Sequence, residues 1–230
     1  MEAVDLALIL ALDGSASVTF DEFNLMANGC AAALRDESVI AGLTGGPLGA
    51  SLGALLLWSG HGQQEVLVEW TRLDTPAAVA GFAEAVENVP RVVVPGATAI
   101  GEALAACARL LEQAPSASHR QVIDVVGDGR SNEGIPPAAV RDLLGAAGVT
   151  INGLCVLHEE ADLIASYTAE VIGGPGAFAL PCQDYSDFAE AMRQKLMREI
   201  ALAGQTWVSK EGQGAALDPP RAGRPLEPMT

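Results

Sequence analysis

The chain has 230 residues, half of them hydrophobic, and a formal net charge of −16 at pH 7. Its length suits one domain, and the hydrophobic share is large enough for a substantial core. The negative charge argues against nucleic acid and anionic membrane surfaces as partners, and it is compatible with binding cations. No apolar run approaches the roughly 18 residues that a membrane-spanning helix requires, so we expect no membrane insertion.

The first predicted element is a strand that ends at an acidic residue. Residues 6–12 are uniformly apolar and are followed by Asp13, Ser15 and Ser17. Such a run, bounded by Gly and Ser, is typical of a strand buried on both faces at the centre of a parallel sheet. Alternate side chains of an extended chain point the same way, so the three polar groups should converge where ligands of open α/β sheets bind. The alternative is that both serines are ordinary turn and cap residues.

The remaining pattern alternates strands with helices. Thr19 and Glu22 form a capping box that predicts a helix to about Arg35, and residues 42–49 predict a Gly/Pro-rich turn. Two runs joined by a short polar loop predict an antiparallel hairpin, at 52–58 and 66–70. Further strands are predicted at 121–126, 150–157 and 177–180. Further helices are predicted at 75–88, at 98–113, at 136–148, in a segment that ends at 173–174, and at 185–203.

This alternation predicts an α/β fold, with a doubly wound, mostly parallel central sheet, one antiparallel edge strand, and helices on both faces. One domain is expected over residues 1–203. Residues 204–230 are expected to form a disordered tail, since from about Lys210 onward they are rich in Gly and Pro with scattered charge.

The cysteines show no C-x-x-C spacing, so we expect buried free thiols, with one disulfide as the alternative. They are Cys30, Cys107, Cys155 and Cys182.

Two more oxygen-bearing side chains follow predicted elements at the same edge of the sheet. Thr98 stands where a loop meets a helix, and Asp128 follows the strand at 121–126. Together with the three groups after the first strand, they supply most of the six oxygens that Mg²⁺ requires. Because the hydroxyls are neutral, a cation held there would keep an open position that attracts a carboxylate from a partner protein.

These residues resemble a known family. The D-x-S-x-S motif at 13–17, the threonine at 98 and the D-G pair at 128–129 look like the metal-ion-dependent adhesion site (MIDAS) of von Willebrand factor A (VWA) domains. The resemblance covers roughly residues 4–203, in the element order of that Rossmann-like fold. Three segments resemble an uncharacterised bacterial subfamily more closely, at 120–129, 150–154 and 171–178. One departure is Gly127, a position where many VWA domains have a hydroxyl or another residue.

The resemblance implies a metal-dependent protein-binding module without catalysis. It implies direct metal ligation by Ser15, Ser17 and Thr98. Asp13 and Asp128 would act mainly through bound water, and an Asp or Glu of a protein partner would take the sixth position. The implied cation is Mg²⁺ first, with Mn²⁺ or Ca²⁺ as alternatives.

Members of the subfamily usually carry export signals, which implies a periplasmic or secreted protein. Residues 1–12 do not themselves have the form of a signal peptide, because Glu2 and Asp5 stand where a cationic segment should be.

The enzymatic alternative is a haloacid-dehalogenase-like phosphatase, whose motifs Asp13 and residues 127–132 superficially fit. Residue 15 is Ser where the general acid should be Asp, and no lysine lies between the two motifs. Arg109 or Arg120 would have to stabilise the phosphorylated aspartate instead. A scaffold domain with an unused metal site is the third possibility.

Overall fold

A central sheet of six strands organises the molecule, for which a computed structural model describes residues 2–214, with side chains through residue 202. The strands are β1 (Val4–Asp13), β2 (Ser51–Trp58), β3 (Gln64–Leu73), β4 (Ser118–Gly127), β5 (Thr150–Val156) and β6 (Ala179–Cys182). They lie in the order β3-β2-β1-β4-β5-β6, with β3 antiparallel to β2 and all other neighbours parallel. The predicted mostly parallel sheet with one antiparallel edge strand is confirmed.

Helices connect the strands and cover both faces of the sheet. They are α1 (Phe20–Leu34), α2 (Glu37–Thr44), α3 (Pro76–Glu87), α4 (Ile100–Glu112), α5 (Pro137–Ala146), α6 (Leu163–Ser166) and α7 (Phe188–Gly214). A π-helical turn at Tyr167–Val171 continues α6. None of the helices within residues 2–214 is long and apolar enough to cross a membrane.

β1 is buried along its whole length, and its side chains alternate between two cores. Leu8 and Leu10 enter the core formed with α1, α2, α3 and α7, whereas Ile9 and Ala11 enter the core formed with α4, α5 and α6. A strand covered on both faces needs apolar side chains at every position, which explains the unbroken run in the sequence. The carboxyl end of β1 therefore lies in the middle of its sheet edge, between β2 and β4.

One helix was not predicted, and another is longer than predicted. No element was predicted for residues 36–41 and a turn was predicted at 42–49, but Asp36 caps α2 by accepting hydrogen bonds from the amides of Ser38 and Val39. α7 continues to Gly214, so residues 204–214 of the predicted disordered tail are helical instead. A long helix that already packs on the sheet extends by one backbone hydrogen bond per added residue, which favours this continuation. Residues 215–230 lie outside the described residues, and the tail stays a prediction there.

All four cysteines are buried free thiols, as expected. Burial raises the pKa of the Cys107 and Cys155 thiols to about 12 and that of Cys182 to about 11.

Charged side chains lie inside the core between α7 and the sheet. Lys195 of α7 forms an ion pair with Asp124 of β4, and both side chains are completely buried. One turn further along α7, Glu199 pairs with Arg120 of β4, at 3.0 Å between Oε2 and Nη2. Asn152 of β5 donates its side-chain amide to Glu199 and accepts a bond from the Phe178 amide at 2.9 Å.

This buried network balances two positive charges against two negative ones. Burial and the charge of Asp124 raise the pKa of Glu199, while Lys195 and Arg120 act in the opposite direction. The helix thus presents a polar stripe to the sheet beside its apolar stripe of Phe188, Met192 and Leu196. Each of the two charged residues of α7 has its partner on β4, so the ion pairs favour this register of the helix on the sheet.

Lys195→Met is expected to destabilise the protein by about 3–5 kcal/mol, because it leaves Asp124 charged and buried without its cation. Adding Asp124→Asn should recover most of this loss, since the uncompensated charge is then gone. The matched control is Arg35→Met at the exposed Arg35–Glu87 pair, which should cost less than about 1 kcal/mol. Urea unfolding measures all three free energies. A Lys195→Met loss as small as that of the control would contradict the role given to the pair.

Candidate metal centre

The loop after β1 turns back on Asp13. The Gly14 amide donates to the Trp58 carbonyl at 2.7 Å, so pairing with β2 continues one residue beyond β1. The Ser15 amide then donates to Asp13 Oδ1 at 2.7 Å, a local bond typical of an aspartate at a turn. The Asp13 side chain is completely buried as a result.

The two serines connect the ends of β1 and β4. Ser15 Oγ and Ser17 Oγ lie 3.1 Å apart in a hydrogen bond, and Ser17 Oγ donates to Asp128 Oδ1 at 2.7 Å. Ser15 and Asp128 are buried, whereas Ser17 is exposed and opens the cluster to solvent. The structure therefore brings four of the five predicted residues into one connected group.

Thr98, the fifth residue, is held at the same rim by neighbouring loops. Its amide donates to Asn132 Oδ1 at 2.8 Å, and its carbonyl accepts from the Asn132 amide at 2.9 Å. The preceding loop contacts the serine loop, since the Ala16 amide donates to the Gly96 carbonyl at 2.9 Å. Thr98 Oγ1 lies 3.8 Å from the position that a Cβ on Gly129 would take, next to Asp128 in the chain.

The surroundings of Asp13 and Asp128 disfavour the ionised form of both carboxylates. Burial, followed by the negative charge of Asp128, raises the pKa of Asp13 to about 7, although the Ser15 hydrogen bonds and Arg91 act in the opposite direction. Burial also raises the pKa of Asp128, against the hydrogen bonds from Ser17 and Tyr185. Among the described residues, no hydrogen-bond donor contacts Asp13 Oδ2, although this atom is buried. A cation beside these groups would relieve both the repulsion and the lost hydration.

The chemistry of the donor set fits a hard cation. Hydroxyl and carboxylate oxygens are the ligands that Mg²⁺ and Ca²⁺ prefer in proteins. Ligand sets built from three or more His, Cys, Asp or Glu side chains are absent from residues 2–202, so the hydroxyl-based group is the candidate there.

Two contacts at the site were not foreseen from the sequence. The Arg91 guanidinium donates to the carbonyls of Gly14 and Ser15, at 3.0 and 2.8 Å, and fixes the serine loop from outside. Tyr185 Oη donates to Asp128 Oδ2 at 3.1 Å. Neither residue belongs to a local motif, because both reach the site from distant parts of the chain.

The departure at Gly127 has a steric reason. A Cβ at this position would lie 2.7 Å from Tyr167 Oη and 2.9 Å from Asp13 Oδ2, closer than real Cβ contacts. Its backbone is not in the left-handed region, so crowding and not backbone conformation excludes a side chain here. The space that a side chain at position 127 would fill lies beside Asp13 and the phenol hydroxyl of Tyr167.

Solved structures of similar architecture are VWA domains. Proximal thread matrix protein 1 from the mussel byssus, solved with a zinc-occupied MIDAS motif, matches with a TM-score of 0.60 and 16% identity over 86% of this chain and 48% of that chain. A von Willebrand factor type A structure from Catenulispora acidiphila matches with a TM-score of 0.56 and 20% identity over 86% and 43%. The vWF domain of the pilus tip protein Mfa5 from Porphyromonas gingivalis matches with a TM-score of 0.58 and 11% identity over 88% and 97%. At these identities the likeness concerns the fold, and this chain spans about half the length of the mussel protein.

The sheet order and the shared fold define the class of the protein as a VWA-like domain. More narrowly, the model of the family described as "Protein of unknown function (DUF1194)" matches residues 3–204, and the chain belongs to this family. No curated protein matches the sequence.

Gly127→Ala is expected to destabilise the protein by about 1–3 kcal/mol, because the new methyl group is forced against Tyr167 and Asp13. Gly129→Ala is the matched control, since the nearest atoms to its Cβ position lie 3.8 Å away. We expect the control to change stability by less than about 0.5 kcal/mol in urea unfolding. Equal effects of the two variants would show that the crowding at Gly127 is not real.

Asp13→Asn is expected to weaken the pH dependence of stability in EDTA. The folded-state pKa of Asp13, about 7, lies above its ordinary value of 3.8, so folding takes up a proton between these values. The contribution of Asp13 to stability is therefore fully present below about pH 4 and is lost as pH rises through about 7. Thermal unfolding from about pH 5 to about pH 8 should show a falling Tm in wild type and a smaller fall in Asp13→Asn. Glu199, whose pKa is also raised, contributes the slope that remains. Identical slopes would contradict the strained Asp13.

Proposed function

We propose that the protein is a metal-dependent protein-binding module that captures a partner's carboxylate through a divalent cation. Ser15, Ser17 and Thr98 would ligate the cation directly, with Asp13 and Asp128 acting mainly through bound water. Mg²⁺ is the first candidate, and Mn²⁺ or Ca²⁺ are alternatives. The observation that carries the proposal is the buried oxygen Asp13 Oδ2, which has no donor in the described structure and lies in a repelling carboxylate pair.

The charge of the candidate site favours an external anion as the remaining ligand. Three of the five donors are neutral hydroxyls. Both oxygens of Asp128 already accept hydrogen bonds, from Ser17 and Tyr185, and Asp13 Oδ1 accepts one from the Ser15 amide. A cation held here would keep part of its positive charge, and the exposed side at Ser17 is where an Asp or Glu of another protein could reach it.

The structural relatives support this proposal by analogy. The mussel matrix protein has a zinc-occupied MIDAS motif, and Mfa5 is a pilus tip protein. Structures of similar fold also include the pilus adhesin SpaC of Lactobacillus rhamnosus. We extend adhesion-type protein binding to this chain on the basis of the shared fold and the matching residues. A periplasmic or secreted location belongs to the same proposal.

A catalytic role has less support, and we propose that the protein is not an enzyme. The phosphatase alternative needs a cation that stabilises the phosphorylated Asp13, but Arg120 pairs with Glu199 inside the α7 interface. Arg91, the cation beside Asp13, donates to the carbonyls of Gly14 and Ser15 instead. The Asp13 carboxylate, which would have to attack phosphorus, is completely buried. Mg²⁺-dependent hydrolysis of p-nitrophenyl phosphate that disappears in Asp13→Asn would reverse this conclusion.

Isothermal titration with Mg²⁺ and with Mn²⁺ tests the metal site. Wild type should bind with measurable heat, and Asp13→Ala should abolish it. Asp5→Asn is the matched control, because Asp5 is a buried carboxylate at the opposite end of β1 that accepts a bond from the Leu48 amide at 3.1 Å. The control should bind metal as wild type does. No heat with wild type would leave a scaffold with an unused site, and equal binding by Asp13→Ala would place the metal elsewhere.

Capture of the partner tests the open ligand position. Mn²⁺ bound with a solvent-accessible position should enhance the relaxation of water protons, and a partner's carboxylate should reduce this enhancement by displacing water. Proteins of the native envelope fraction should be retained by immobilised wild type in Mg²⁺, released by EDTA, and not retained by Asp13→Ala. Retention that is insensitive to EDTA would contradict recognition through the metal, even if the metal binds.

A further inference from the structure

Tyr167 occupies a space that two glycines of the sheet leave open. A Cβ on Gly153 of β5 would lie 2.6 Å from Tyr167 Cδ1, and a Cβ on Gly127 of β4 would lie 2.7 Å from Tyr167 Oη. The ring therefore lies against two neighbouring strands, with its hydroxyl toward the carboxyl end of β1. Tyr167 is also the first residue of the π-helical turn, a local distortion that is often found at functional sites.

The burial of the Tyr167 hydroxyl is unfavourable for folding. Tyr167 is completely buried, and its Oη has no hydrogen-bond partner within the part of the chain that the structure describes. A buried hydroxyl without a partner loses its hydration, whereas phenylalanine would fill the same space without that loss. The phenol thus needs an explanation that packing does not supply.

Another buried polar atom without a hydrogen-bond partner, Asp13 Oδ2, lies near it. Asp13 Oδ2 is 2.9 Å and Tyr167 Oη is 2.7 Å from the same point, the Cβ position of Gly127. Burial first, and then nearby acidic groups that include Asp13, raise the pKa of Tyr167 well above its usual value. The two atoms form no hydrogen bond with each other in the structure, but both lie within 2.9 Å of one point, so the phenol is a donor within reach of this carboxylate oxygen.

Asp128 has an equivalent neighbour. Tyr185 Oη donates to Asp128 Oδ2 at 3.1 Å, from the segment just before α7. Tyr167 and Tyr185 are the only two tyrosines in the sequence. One tyrosine is therefore found at each carboxylate of the candidate metal centre, and the two reach it from separate segments of the chain.

We infer that Tyr167 is a positioning residue of the metal centre, which orients Asp13 through its hydroxyl, as Tyr185 orients Asp128. This inference rests on the proposed function. The carboxylates would be held by the phenols on the protein side and would present their remaining lone pairs toward the cation. Residues that hold metal ligands in this way typically change metal affinity by about 10–100-fold when they are removed.

Tyr167→Phe separates this role from a structural one. The variant should bind Mn²⁺ at least about 10-fold more weakly by isothermal titration, while its Tm in EDTA is no lower than that of wild type, because an unsatisfied buried hydroxyl has been removed. Tyr185→Phe should also bind more weakly. The matched control is Thr150→Val, which deletes the buried hydroxyl that donates to the Pro175 carbonyl at 2.9 Å at the far end of β5. The control should keep wild-type affinity even if its Tm falls.

A spectroscopic measurement gives an independent test. Mn²⁺ or Mg²⁺ should change the near-ultraviolet tyrosine absorption of wild type, and part of this change should disappear in each Tyr→Phe variant. Unchanged affinity and an unchanged difference spectrum in Tyr167→Phe, with metal binding by wild type intact, would overturn this inference alone. An equal loss of affinity in Thr150→Val would also overturn it, because general destabilisation would then explain both losses. Absence of metal binding by wild type would overturn the proposed function, and this inference with it.

Discussion

Mutual repulsion between two acidic side chains in one buried corner is the constraint on which the rest of the site depends. Asp13 and Asp128 end two adjacent parallel strands, so the sheet itself holds them near each other. The surrounding contacts soften the repulsion without removing it, because the Ser15 amide, the Ser17 hydroxyl and Tyr185 donate to three of the four carboxylate oxygens. The fourth oxygen, Asp13 Oδ2, accepts no hydrogen bond from the residues that the structure describes.

The fold holds the two buried carboxylates in place despite their unfavourable surroundings. Both faces of β1 are covered, so its carboxyl end is fixed by two cores, and loops from three parts of the chain are tied to it by backbone hydrogen bonds. Arg91 secures the serine loop through its carbonyls and leaves the hydroxyls free for other contacts. On the opposite side, the ion pairs of α7 attach this helix to β4, the strand that directly precedes Asp128. The unfavourable burial of the two carboxylates is confined to the site, whereas the contacts that stabilise the protein extend over the whole sheet.

The sequence predicted those parts of the site that depend on a single strand. The apolar run before Asp13 and the Gly-Asp-Gly after β4 identify strand ends, and parallel strands bring their carboxyl ends to one edge. Tyr167, Tyr185 and Arg91 were not predicted, since each reaches the site through tertiary packing that leaves no periodic signal. The buried pairing of Lys195 with Asp124 was not predicted either, because a buried ion pair has the same local sequence pattern as an exposed one. α2 is short and directly follows α1, so its cap at Asp36 was hidden in an apparent loop.

The burial of the thiols determines how the folded chain responds to the redox conditions around it. A thiol reacts as its thiolate, and here both the raised pKa values and the enclosure of the sulfur atoms suppress that species. The thiols of the native state are thus protected from oxidation and from disulfide exchange. Chemical labelling of these sulfurs would proceed only from molecules in which the core has opened. The labelling rate would therefore measure how often the domain opens.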